Sequence, residues 1–126
     1  MKLRRMFLVG LMSAAVLGCV SNRMPPVDTR VTIAPDLCGD VEVSDVRCAR
    51  GSSSYLTFQA NLVNVRNKTL AVDWKVQWLD AEGIEIDSVV STWNTRALQP
   101  FEIRALKATA PRPDAADMRF YVRKAR

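Results

Sequence analysis

An all-β chain folded as an antiparallel sandwich of about seven strands is what the sequence predicts, and three observations predict it. From Leu70 to Trp78 the even positions Leu70, Val72, Trp74, Val76 and Trp78 are apolar, while Asp73, Lys75 and Gln77 stand opposite them. That is the period of a strand with one buried and one wet face. The stretch Tyr55–Val63 repeats the pattern, with Leu56, Phe58, Ala60 and Leu62 against Thr57, Gln59 and Asn61. Gly, Pro, Asn and Asp then punctuate the chain at short intervals, and no segment after residue 20 has a helical period. A large aromatic in the central strand favours a sandwich of immunoglobulin-like type, with an eight-stranded barrel as the second choice. Trp74 is the expected central core residue.

The chain begins with a leader. Lys2, Arg4 and Arg5 form a basic n-region, and an apolar run extends from Met6 to Leu17. A bilayer core needs about 20 apolar helical residues, so this run fits the h-region of a signal peptide better than a membrane span. Val16, Leu17, Gly18 and Cys19 follow, and together they resemble the lipobox of bacterial lipoproteins. The resemblance implies cleavage after Gly18, diacylglycerol on the Cys19 sulfur and a membrane anchor at that residue. Val20 and Ser21 bring no acidic retention signal, so the expected address is the periplasmic face of the outer membrane.

Residues 19–37 read as a lipidated N-terminus and flexible linker, because Pro25, Pro26 and Pro35 interrupt a stretch with little apolar periodicity. The sandwich is expected over 38–126. Its strands are placed at Val41–Val46, Tyr55–Val63, Leu70–Trp78, Ile84–Asp87, Val89–Ala97, Glu102–Thr109 and Met118–Lys124. Asn64–Thr69 reads as a hairpin or sandwich loop. With Cys19 taken by lipid, Cys38 and Cys48 remain in an oxidising compartment, where a Cys38–Cys48 disulfide is the expectation. Two free thiols are the alternative, and the spacing is unlike that of a redox C-x-x-C pair.

At 126 residues with 48% hydrophobic and 25% charged side chains, the composition is that of one small domain. Removing the three leader cations from a formal +5 leaves +2, so no nucleic-acid partner is expected. There is no histidine, which excludes imidazole metal ligands and the Ser-His-Asp triad. Asp80, Glu82, Glu85 and Asp87 could suggest a calcium loop, but their spacing misses the EF-hand and reads as a solvated hairpin tip. Ser52, Ser53 and Ser54 follow Gly51 without a nucleophile elbow and read as a loop. Arg119, Arg123, Lys124 and Arg126 read as the charges of a protected edge strand. No catalytic residue, metal site or cofactor is expected.

Asn61 to Asn64, then Val72 to Gly83 with its segment Trp78, Asp80, Ala81, Gly83, then Trp93 and Arg119 to Val122, resemble the YcfL family of small envelope lipoproteins. The resemblance spans about residues 59–122 and implies an immunoglobulin-like fold with no known catalytic residues. Leu79 stands where the family often has Tyr. Two functions of different class follow from the sequence. One is a noncatalytic module anchored in the membrane at Cys19, presenting a loop end or edge strand to an envelope protein or to peptidoglycan. The other is an enzyme or enzyme subunit acting on an envelope polymer through carboxylates such as Glu82 and Glu85.

Overall fold

Alternation assigns the faces, and the backbone ladders then decide which strands are neighbours. The computed structural model describes residues 28–126. They form β1 (Val31–Ile33), β2 (Val41–Arg50), β3 (Leu56–Asn64), β4 (Leu70–Leu79), β5 (Asn94–Leu98), β6 (Ile103–Thr109) and β7 (Asp117–Lys124). One sheet has the order β1-β7-β4-β5 and the other β2-β3-β6. Every pairing is antiparallel except β1 with β7. Among the described residues there is no α-helix, only a 3₁₀ turn at Pro35–Leu37. The chain is an all-β sandwich.

Phe58, Ala60 and Leu62 of β3 meet Val122, Phe120 and Met118 of β7 and Val72, Val76 and Trp78 of β4 in one core. The rings of Phe58 and Phe120 lie 4.9 Å apart, and Trp74 lies 6.1 Å from Phe120. This contact bridges the sheets as a cystine packed on a Trp does in antibody domains. The chain changes sheets between β3 and β4 and again between β5 and β6. Tyr55–Val63 and Leu70–Trp78 are therefore joined by a sandwich crossing rather than a hairpin. Buried Asn64 stands at this crossing and donates its side-chain amide to the Lys68 and Gln99 carbonyls at 2.7 and 2.9 Å.

Several expectations are corrected. Trp78, 1% exposed, is the central tryptophan, whereas Trp74 is only partly buried. Both point inward, but Trp74 pairs with Asn94, where β5 begins, and its indole forms part of a rim. Ile84–Asp87 is not a strand and contributes a single bridge, Leu79 to Glu85. Val89–Ala97 shortens to Asn94–Leu98. Side-chain acceptors account for both losses: Asp80 Oδ1 takes the Glu82 and Ile84 amides at 2.9 Å, and Ser88 Oγ takes the Val90 amide at 3.2 Å. Such local bonds compete with a ladder. The stretch read as linker contains β1 and the 3₁₀ turn. Three β-branched residues are enough for β1 because β7 offers it a parallel partner. That pairing also makes β7 an interior strand, so its basic residues do not protect an edge.

The expected Cys38–Cys48 disulfide is not formed, and both residues are free thiols. Cys38 is bridged to Val41 at the start of β2, while Cys48 lies far along the same strand. From residue 41 to residue 48 is roughly 20 Å at the rise of a strand, well beyond the Cα separation of about 7 Å that a disulfide tolerates. Cys48 is half-buried, and burial pushes its thiol up. Because the thiolate is the nucleophile, native alkylation should modify exposed Cys38 quickly and Cys48 slowly. Mass spectrometry of the timed reaction checks the order, and a nonreduced peptide linking the two would contradict it. Truncation should separate the tryptophans as well. Trp78→Ala is expected to cost about 3–5 kcal/mol in urea unfolding, and Trp74→Ala clearly less.

Candidate functional site

The residues that the sequence brings forward for chemistry are mostly occupied in building turns. Besides the two amides held by its carboxylate, Asp80 accepts the Gly83 amide on its backbone oxygen at 3.0 Å. Gly83 has φ +82°, the left-handed conformation that such a turn requires. Glu82, Glu85 and Asp87 project into solvent around this tip. Among the described residues no group of three His, Cys, Asp or Glu side chains converges to hold a metal ion. Ser52–Ser54 lie in the loop between β2 and β3, pinned by Arg50 Nη1 donating to the Ser54 carbonyl at 3.0 Å. Asn67–Thr69 is part of the crossing that follows β3. Cys19 and the leader lie outside the described residues.

The outward face of β4 and β7 carries a polar and aromatic cluster. Asp73, 5% exposed, accepts from Thr95 Oγ1 at 2.7 Å and from Arg123 Nε at 3.3 Å. The Arg123 guanidinium lies 3.8 Å from the Trp93 ring centre, and Lys75 Nζ lies 4.8 Å from the same ring and 5.6 Å from Tyr121. Tyr121 donates its hydroxyl to Gln77 Oε1 at 3.1 Å. The Thr95 hydrogen bond, helped by Arg123, holds the Asp73 carboxyl below the usual carboxylate range. With its partners supplied from within, this cluster fastens the loop before β5 to the sheet.

The opposite situation holds on the flank where β5 and β6 lie. A groove of about 360 Å³ opens there between Trp74, Val76 and Trp78 of β4 and residues 107–109 of β6, with Val89, Val90, Thr92 and Asn94 around its mouth. Its volume lies at the lower end of ligand pockets, about 300–1,000 Å³. Val89 is 87% exposed, Ile103 65% and Phe101 60%, and Val90 is also exposed. Phe101 has φ +58°, an uncommon conformation for a bulky side chain.

β6 pairs only with β3. Glu102 accepts from the Asn64 amide at 2.9 Å, and the Ala110 amide donates to Leu56 at 2.8 Å. Antiparallel alternation therefore turns the even residues of β6 toward β3 and leaves the N–H and C=O of Ile103, Ala105, Lys107 and Thr109 facing outward. The other edge of this sheet, β2, is guarded. Its register shifts between Ser44 and Arg47 around Asp45, which has φ +53°, and it carries Glu42, Asp45, Arg47 and Arg50. The sequence reading missed the β5–β6 flank. Apolar Phe101 and Ile103 at outward-facing positions were the available signal.

A family model described as a protein of unknown function, DUF1425, matches residues 28–124. Two solved structures resemble the fold. A DUF1425 family member from Shewanella sp. pv-4 is 22% identical, with 68% of this chain and 78% of that chain covered and a TM-score of 0.62. Campylobacter jejuni cj0090 is 20% identical, with 78% of this chain and 100% of that chain covered and a TM-score of 0.66. At these identities the likeness shows the fold. No curated protein matches the chain significantly.

The Asp73 cluster gives a pH signature. A carboxyl whose folded pKa is lowered contributes stability above its unfolded pKa, and the contribution is lost as pH falls through the folded value. Asp73→Asn should therefore lower the urea midpoint at pH 7, and the gap to the wild type should close as the pH drops below about 4. Urea titrations across that range check it, and a gap that stayed constant would contradict the assignment.

Proposed function

The chain belongs to the DUF1425 family, and from that premise we propose that it is an envelope lipoprotein of the YcfL type, anchored by lipid at Cys19 in the periplasmic face of the outer membrane. It works there as a noncatalytic interaction module. The leader, with its basic n-region, apolar run and Gly18-Cys19 junction, supports the anchoring. Eight residues lie between Cys19 and Asp28, a span of about 30 Å when fully extended, so the sandwich stays close to the lipid surface and meets partners in that layer.

A single observation carries the module reading: an unguarded edge strand runs beside a groove lined by both apolar and polar side chains, on a flank where Val89, Val90, Phe101 and Ile103 are exposed. Large apolar side chains grouped along one exposed flank mark contact surfaces. Several polar groups elsewhere are matched internally. The Asp73 cluster holds a loop, Asp80 holds a turn, and Arg30, Arg112 and Arg119 pair with Asp28, Asp114 and Asp117. Glu82 and Glu85 stand on an exposed tip rather than across a cleft, which favours binding over acid-base chemistry. The partner class is an envelope protein, with peptidoglycan second, and nucleic acid is not a partner.

Metabolic labelling with a radioactive fatty acid tests the anchor. The wild type should be labelled and sediment with outer membranes, whereas Cys19→Ser should be unlabelled and shift to the soluble fraction. Equal labelling of both proteins would overturn the lipoprotein reading.

A further inference from the structure

We infer that β6 is a docking edge for an extended polypeptide segment, which adds as a fourth strand to the β2-β3-β6 sheet and carries apolar residues on one face and a carboxylate on the other. The inference rests on the module reading above and names its partner chemistry. The outward N–H and C=O groups of Ile103, Ala105, Lys107 and Thr109 make no backbone hydrogen bond among the described residues. They form the ladder half that an added strand needs, and main-chain bonds of this kind supply affinity while alternate side-chain pockets supply specificity. The sandwich has four strands in one sheet and three in the other. An added strand makes the layers equal.

Side-chain chemistry on the two faces of β6 sets what the strand must carry. Even positions of β6 face the core, and the groove beside them is bordered by the half-buried Trp74, with Val76 and Trp78 buried beneath it. The inner face of an incoming strand therefore meets the indole of Trp74 and the exposed side chains of Val89 and Val90, with Thr92 and Asn94 beside them. Odd positions face outward, where Ile103 and Lys107 are exposed. The strand Ile103–Thr109 contains two cations, Arg104 and Lys107, and no acid. Arg104 already pairs with Glu102 at 2.6 Å, while Lys107 is in no ion pair among the described residues. A carboxylate on the outer face of the partner, opposite Lys107, completes the match, since opposite charges across a strand pair are stabilising. A second copy pairing through β6 would instead bring two more cations and no acid to the same ladder. Charge therefore selects a different, acidic partner.

A synthetic strand tests the inference. The probe is a capped peptide of alternating valine and glutamate, matched to the 7 residues of β6, with lysine for glutamate in the control. The purified full chain in detergent is titrated while Trp fluorescence is read, and amide exchange is followed at Ala105 and Lys107. Saturable binding of the glutamate peptide with protection of those two amides is the expected result. Ala105→Pro, which removes an outward N–H and leaves the bonds to β3 in place, should weaken binding about tenfold. Lys107→Glu, an exposed change that leaves the fold intact, should reverse the preference toward the lysine peptide. No saturable binding, equal binding of both peptides by the wild type, or binding indifferent to both substitutions would overturn the proposal. So would sedimentation showing a wild-type dimer that Ala105→Pro dissolves, because the occupant would then be a second copy. Any of these results leaves the fatty-acid labelling outcome untouched, so failure of strand addition and failure of the anchor are told apart.

Discussion

Asn64 is the polar side chain on which the stacking of the two sheets depends. It is fully buried at the end of β3, and its amide reaches the Lys68, Gln99 and Leu98 carbonyls at 2.7, 2.9 and 3.3 Å while its Oδ1 accepts the Arg66 amide at 2.9 Å. Residues 65–69 carry the chain from one sheet to the other, and residues 99–102 carry it back. One side chain thus satisfies the backbone of two of the four crossings between the sheets. A buried carbonyl left without a donor costs about 1–3 kcal/mol, so an apolar residue here would leave several such groups unmatched at once. The clamp also brings the crossings together, where the Phe101 amide donates to the Arg66 carbonyl at 3.1 Å and Phe101 is held at positive φ. Its ring is consequently displayed rather than buried.

The same economy of polar groups explains why one edge of the three-stranded sheet is defended and the other is not. β2 bends at its bulge, and the Asn61 amide donates to Asp45 at 3.1 Å to fix it. Neither a bulge nor a proline interrupts β6. Unguarded edges are aggregation hazards, and a soluble domain without a use for one is expected to cover it. The facing sheet makes the contrast sharper, because its exposed surface is closed by the Asp73, Arg123 and Trp93 contacts.

How much of this was legible in the sequence depends on range. β3 and β4 were readable because alternation is a local property, and the turn at Asp80–Gly83 because Asp and Gly have one mechanical role there. β1 was not, since three residues carry no period and its partner lies near the other end of the chain. The loss of a strand at Ile84–Asp87 and the late start of β5 depended on Asp80 and Ser88 capturing nearby amides, which the residue types permit without requiring. Compartment chemistry favoured joining Cys38 to Cys48, but strand length kept them apart. Trp74 and Trp78 share a face, and only the lateral neighbour, β5 beside one and the turn beside the other, decides which is sealed. The open flank is a statement about which strand lies outermost, and that follows from long-range pairing alone.

The parallel pairing of β1 with β7 has a mechanical consequence. The chain leaves Asp28, whose carboxylate clasps Arg30 through Oδ1 at 3.0 Å and Oδ2 at 2.7 Å, and runs along β7 toward the Asn64 end. The Phe120 amide donating to Arg30 and the Ala34 amide donating to Val122 lie at the two ends of this short ladder. A pull at Asp28 along the strand axis therefore loads those bonds together, in shear, instead of opening them one after another as a zipper. Tension applied at Asp28, as by the anchor proposed above, is taken first by a ladder at the edge of the four-stranded sheet, on the side away from β6. A domain loaded this way yields at β1 before the β6 edge is disturbed.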